Sequence, residues 1–182
     1  MKIKSIALVG AAAIALAACE TTSTRPYEPS VENVLSIQAA RADAEQKLKT
    51  GSATAAEGVD VDLSCRALGS LEVAPGKTPL EYISSALQAE LFQAGVYDQA
   101  AGSAIDIVVS ELKFNSFGTG KWEVTMSLSS PNLPDGYSVD VDYEFKTSWS
   151  ALSACQNVID AFQPTVSTLI KKAVDDPRFK QL

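Results

Sequence analysis

The chain has 182 residues, a net charge of −7 from 15 Lys and Arg against 22 Asp and Glu, and no histidine. The absence of histidine excludes the Ser-His-Asp and Cys-His routes to an activated nucleophile, and it removes the commonest zinc and iron ligand. An acidic chain with no basic run is a poor match for nucleic acid, whose phosphates need Lys and Arg to neutralise them.

Lys2 and Lys4 supply a short positive start, and residues 6–18 are uncharged and apolar or small. A helix crossing a bilayer needs about 20 apolar residues, so this run is too short to anchor the chain. A charged start, an apolar middle and a small-residue end form the pattern of a secretory signal peptide, here 1–18. The end of that run, Leu16-Ala17-Ala18-Cys19, resembles a bacterial lipobox. The resemblance implies that the Cys19 thiol receives a diacylglycerol, that the leader is cut in front of it, and that the new amino terminus takes a further acyl chain such as palmitate. Each buried methylene contributes about 0.8 kcal/mol, and anchoring becomes stable once more than one chain is present. A plain signal peptide with a cysteine placed by chance is the competing reading. Glu20 stands where inner-membrane lipoproteins of enteric bacteria tend to carry Asp, which implies the outer membrane, periplasmic side. Without Lys2 and Lys4 the remaining chain has 13 basic and 22 acidic residues, a charge of −9. Attachment to the membrane is therefore expected through the N-terminal lipid and not through anionic head groups.

Residues 19–58 read as a lipidated tether. ETTSTRPYEPS carries two prolines and no periodicity, and Ser30 is placed to cap a helix over 30–49. Its apolar stripe of Val31, Val34, Leu35 and Ala42 is thin, as for a helix that only rests on the domain surface. GSATAAEG reads as a second flexible stretch. The domain proper is expected over 59–182. It begins with a strand in which Val59, Val61, Leu63, Cys65 and Ala67 alternate with polar residues.

Thr78-Pro79-Leu80-Glu81 has the form of a capping box with proline at the first helical position. Leu80, Ile83, Leu87, Leu91 and Ala94 then fall on one helical face, and Gly95 supplies a left-handed stop. Three strands follow. Ile105, Ile107 and Val109 share a face, and Leu112 and Phe114 fall out of phase, which predicts a bulge near Ser110. Trp122, Val124, Met126 and Leu128 alternate cleanly. After a turn at SPNLPDGY, Val139, Val141, Tyr143 and Phe145 alternate with Ser138, Asp140, Asp142 and Glu144. The last element is a helix with Cys155, Ile159, Phe162, Val166, Leu169 and Ala173 in phase through Pro164, so a continuous, kinked helix is expected.

The order βαβββα predicts an α+β two-layer sandwich, a mostly antiparallel four-stranded sheet carrying both helices on one face. With Cys19 spent on lipid, Cys65 and Cys155 form an even pair, which in an oxidising compartment reads as a disulfide. Two separate buried thiols are the alternative.

The run CRALGSLEVAPGKTPLEYISSALQAELFQAGVY, then GKWEVTMSLSSPN, then YEFKTSW followed by AC, resembles a family of uncharacterised proteobacterial lipoproteins over roughly residues 63–182. In element order it is similar to YajG-type lipoproteins and to the lipopolysaccharide-assembly lipoprotein that plugs an outer-membrane barrel. The acidic balance departs from such a plug, for which basic residues are expected. These resemblances carry no assigned activity, and the expected function is a non-enzymatic envelope lipoprotein that binds a protein partner as an accessory subunit. A carrier of a small hydrophobic ligand or lipid, held between sheet and helices, is the alternative. No catalytic residue, cofactor or metal is expected. Phe117, Trp122 and Trp149 are the candidates for partner contact, against a competing reading of core packing that is weakest for Phe117, beside Gly118 and Gly120. Cys19→Ala is expected to leave the protein unlipidated and to release it from the membrane fraction. A variant that partitions with membranes as the wild type does would show that the lipid is not the anchor.

Overall fold

The structure, a computed structural model, describes residues 26–182; the expected leader, the lipobox and Cys19 lie outside the described residues. Its elements are α1 (Val31–Ala40), β1 (Leu48–Ala55), α2 (Pro79–Gln93), β2 (Ser103–Asn115), β3 (Gly120–Ser130), β4 (Leu133–Phe145), α3 (Ala151–Asp175) and a 3₁₀ turn at Phe179–Gln181. The described residues form an α+β fold with three helices and one open, four-stranded mixed sheet in the order β1-β2-β3-β4. β1 runs parallel to β2, and the other pairs are antiparallel.

β3 sets the pattern. Every second residue, including Trp122, Val124, Met126 and Leu128, is buried, and those between are half-buried. On β2, Ile105, Ile107 and Val109 are buried, and so is Leu112. Ser110 is the extra residue between the pairs Val109↔Met126 and Glu111↔Thr125, so the expected bulge returns Leu112 to the core face. The helices meet that face through aromatic rings. The Trp122 indole N–H donates to the Val158 carbonyl of α3 at 2.9 Å, and its ring centroid lies 4.8 Å from that of Phe162. Phe162 in turn stands 5.3 Å from Tyr82 of α2.

α2 starts as its sequence dictates. The Thr78 hydroxyl accepts from the Glu81 N–H at 3.2 Å, the Glu81 carboxylate accepts from the Thr78 N–H at 2.8 Å, and Pro79 opens the helix. Gly95, at φ +77°, turns the chain away after it. α3 is continuous through Pro164. The carbonyl that proline leaves without its helical N–H belongs to Asp160, an exposed residue. Thr165 and Thr168 return their hydroxyls to the Ala161 and Pro164 carbonyls at 2.6 and 2.8 Å.

Several expectations are corrected. The first strand is β1, not residues 59–67, so the sheet begins inside the stretch read as tether and flexible linker, and the domain boundary at 59 does not hold. Between β1 and α2 the backbone defeats the alternation of 59–67. Asp60 accepts from the Asp62 N–H, Arg66 sits at φ +51° and Gly69 at φ +92°, so the chain turns where a strand would run straight. After Leu48 and Lys49, β1 is built of small residues and becomes a strand only by pairing with β2, across an irregularity between Thr50 and Ala53. The first helix ends at Ala40 instead of 49, and its buried face is Asn33, Ile37 and the following Arg41. Val31 and Leu35, taken as its apolar stripe, are exposed. The turn between the last two strands is short, because β4 already begins at Leu133. Gly136 lies within β4 at φ +59°, where a Cβ would come within 2.3 Å of the Leu128 carbonyl oxygen. That approach accommodates the register shift between Leu128 and Ser130.

Cys65 and Cys155 are bonded, with Cα atoms 5.8 Å apart and a sequence separation of 90. A loop of that size is worth about 4–5 kcal/mol in the chain-entropy account. Because Cys65 lies in the β1–α2 connection and not on a strand, the bridge pins an irregular loop to the start of α3.

Three tyrosines are held neutral by their surroundings. Burial pushes Tyr82 up to about 12 from its ordinary 10.0. It also raises Tyr27, reinforced by the Glu90 carboxylate, and Tyr137, reinforced by Asp176. A raised folded-state pKa gives stability that is fully present below about pH 10 and is lost as pH climbs towards the folded values. Alkaline titration followed by phenolate absorbance and circular dichroism is expected to show these tyrosines ionising above pH 10, together with loss of the fold. Ionisation of all the tyrosines near pH 10 with the helices intact would contradict this.

Candidate functional site

Eight large apolar residues among the described ones are exposed, and four of them, Leu68, Phe117, Trp149 and Leu152, lie around one end of the sheet. The topology explains the gathering. β1 and β2 run the same way, so the β1–α2 loop carrying Arg66 and Leu68 leaves the sheet beside the β2–β3 hairpin carrying Phe117. β4 ends at the same side, and its connection to α3 carries Trp149. The bridge then joins the loop to α3 one turn after Leu152.

Arg66 binds the three loops together. Its Nε donates to the Ser116 hydroxyl at 3.2 Å, Nη2 to the carbonyls of Ser116 at 2.5 Å and Ser148 at 3.2 Å, and Nη1 to the Trp149 carbonyl at 3.3 Å. The planar guanidinium suits such a forked set of acceptors. Its carbon also stands 4.4 Å from the centroid of the Phe117 ring, a cation–π contact. Arg66 takes φ +51°, a left-handed conformation unusual for a long side chain, and the neighbouring disulfide and these bonds hold it there. The hairpin tip is separately braced. Asn115 accepts from the Phe117 N–H at 3.0 Å and donates to the Phe117 and Thr119 carbonyls at 2.9 and 3.3 Å.

Between the rings lies a recess of ≈ 350 Å³ lined by Arg66, Phe117, Gly118, Thr147, Ser148 and Trp149. Phe117 is 65% exposed and the Trp149 side chain is fully open to solvent. Two exposed aromatics and an arginine on braced loops form a surface suited to apolar contact, since Trp, Tyr and Arg carry most of the energy at protein interfaces.

Of the three candidate contact residues, the structure brings Phe117 and Trp149 to this recess and removes Trp122, which is fully buried and packs in the core. Trp122 is corrected because β3 is covered on the face where its alternation places the ring. Arg66, which assembles the site, was missed by the sequence reading. Its trace there is a cation next to Cys65 in an acidic chain, at the head of the run that carries the family resemblance. Asp140 and Asp142 lie exposed on β4, and Asp142 meets Lys121 at 3.6 Å. Among the described residues no group of three or more Cys, Asp or Glu is placed to hold a metal ion, and no helix is long and apolar enough to cross a membrane.

Arg66→Ala is expected to lower stability by about 1–3 kcal/mol in urea unfolding, the range for losing hydrogen bonds to a charged group. It is also expected to raise amide exchange at 116–119 and 147–149, with α2 unchanged. Unaltered exchange in both loops would show that Arg66 does not hold them.

No protein-family model and no curated protein matches this chain. Among solved structures it is similar to a crystal structure of a Xanthomonas campestris protein of the DUF330 family model, with a TM-score of 0.46 and 12% identity. The match covers 71% of this chain and 82% of that one. A likeness of that degree carries no argument about fold or function.

Proposed function

We propose that this chain is a non-enzymatic lipoprotein of the cell envelope, held by acyl chains on Cys19 at the periplasmic side of the outer membrane, that binds a protein partner as an accessory subunit. Support for the location comes from the sequence. Residues 1–18 have the build of a signal peptide, Leu16 to Cys19 resembles a lipobox, and the pattern from Cys65 to Cys155 resembles proteobacterial lipoproteins.

The observation that carries the binding reading is the Phe117–Arg66–Trp149 surface. Exposing a whole indole and most of a phenyl ring to water is unfavourable, by roughly 25 cal/mol per Å² of apolar surface. Here the loops that expose them are braced by five side-chain hydrogen bonds from Arg66 and Asn115 to main-chain oxygens. Rings held rigidly outward lose little conformational freedom on contact, and this favours association. The acidic surface, at −9 without Lys2 and Lys4, favours a partner whose contact rim is basic.

Site-specific photocrosslinking in intact cells tests the reading. Probes at 117 and 149 are expected to give the same discrete adduct, and a probe at Val108 on β2 is expected to give none. Adduct formation from position 149 should fall when Phe117→Ala is added. Indistinguishable labelling from all three positions, or none from 117 and 149, would remove the surface from consideration.

A further inference from the structure

α1 packs against the core through Ile37 and the half-buried Val34 and Ala40, and polar groups anchor it at both ends. Ser30 takes the N-cap position, but its hydroxyl makes no capping bond. Glu90 of α2, 0% exposed, supplies the acceptor instead: its Oε1 takes the Ser30 N–H at 2.9 Å, Asn33 Nδ2 at 3.0 Å and the Tyr27 hydroxyl at 2.6 Å. In a capping box the third helical residue provides the carboxylate that accepts the N-cap N–H. Here that place belongs to Asn33, a donor, and α2 provides the carboxylate across the tertiary contact.

At the other end Arg41, also buried, donates Nη1 to the main-chain oxygens of Lys180 and Leu182, both at 3.1 Å, and Nη2 to that of Gln46 at 3.0 Å. Glu90 enters no ion pair among the described residues. Each anchor also leaves one buried polar atom without a partner, Glu90 Oε2 and Arg41 Nε. Desolvation lowers the Arg41 guanidinium from its ordinary range. Both charged groups regain hydration when uncovered, which offsets the bonds they make when docked. Between them only Ile37 adds a fully buried apolar side chain from α1. Ten residues are also too few for a helix to persist alone, since about 12–15 are marginal in water. β1, by contrast, is fixed from its first residue, because Leu48 exchanges main-chain bonds with Val96 and Asp98 at 2.9 Å.

We propose that residues 26–47 are a detachable strap: α1 is helical only while seated between its Glu90 and Arg41 anchors, and it comes off as a unit with the sheet, α2 and α3 still folded. Its release turns about 22 residues into free chain, spanning ~26 Å on average and ~70 Å at full stretch. If the N-terminal lipid proposed above holds the chain, the released strap lets the domain stand further from the membrane. That consequence rests on the proposed function, whereas the release itself does not.

Hydrogen exchange of the full chain, read by mass spectrometry, tests the release directly. Amides 34–41 are expected to exchange through an opening that leaves α2 and α3 protected. Glu90→Ala, which removes the acceptor shared by Ser30, Asn33 and Tyr27 and leaves Asn33 its bond to the Ser167 carbonyl, should speed them by about tenfold or more without touching α3. Arg41→Ala should do the same from the other end. Exchange of α1 in step with α2 and α3 in the wild type would overturn the proposal, as would loss of protection throughout the domain in both variants. Either result would leave the lipid anchor and the aromatic surface to stand on their own tests.

Discussion

A sheet with only one apolar face must cover that face, and β3 imposes this requirement on the rest of the chain. Its alternate residues are buried from Gly120 to Ser130, and near its start Trp122 fills the contact between sheet and helices. The indole fixes position as well as supplying bulk. Its N–H has a single main-chain acceptor, on Val158, so α3 is set in register along its axis while Phe162 fills the space against Tyr82 of α2. A buried donor without such a partner would cost several kcal/mol, so the register of helix on sheet is specified by polarity and by shape together.

The opposite end of the structural logic is visible in the loops. The connection between β1 and α2 has little regular structure, yet Cys65 and Arg66 tie it to three other segments. The disulfide restrains the loop mainly by limiting the unfolded chain, whereas the Arg66 fork acts in the folded state on the main chain around Ser116 and Ser148. The two act on adjacent residues and hold the backbone in a conformation that the sequence alone would not favour. Rigid exposure of Phe117 and Trp149 follows from that restraint.

α1 shows a third balance. Where α2 and α3 bury apolar faces, α1 buries an asparagine, an isoleucine and, just past its end, an arginine, and leaves Val31 and Leu35 in solvent. Its attachment leans more on hydrogen bonds, whose strength is partly cancelled by desolvation, and less on apolar area than that of the body of the domain. Elements held in these two ways differ in local stability within one molecule.

The strands β2 to β4, the bulge at Ser110, the capping box of α2, the continuous last helix and the pairing of Cys65 with Cys155 were all legible from the sequence, because each is written in local periodicity, a turn residue or a count. What escaped was decided by neighbours. Leu48–Ala55 carries no strand pattern of its own and pairs only because β2 offers an open edge. Residues 59–67 alternate well, but side-chain hydrogen bonding and a left-handed Arg66 bend them away from any sheet. Trp122 shares a strand face with Val124, Met126 and Leu128, and Trp149 has no periodic partners, but neither pattern says what covers the ring. One faces a helix and the other faces water, and only the packing of distant elements determines which. Chain periodicity determines which residues share a face; the tertiary structure determines whether anything covers it, because burial belongs to the pair of surfaces and not to either sequence alone.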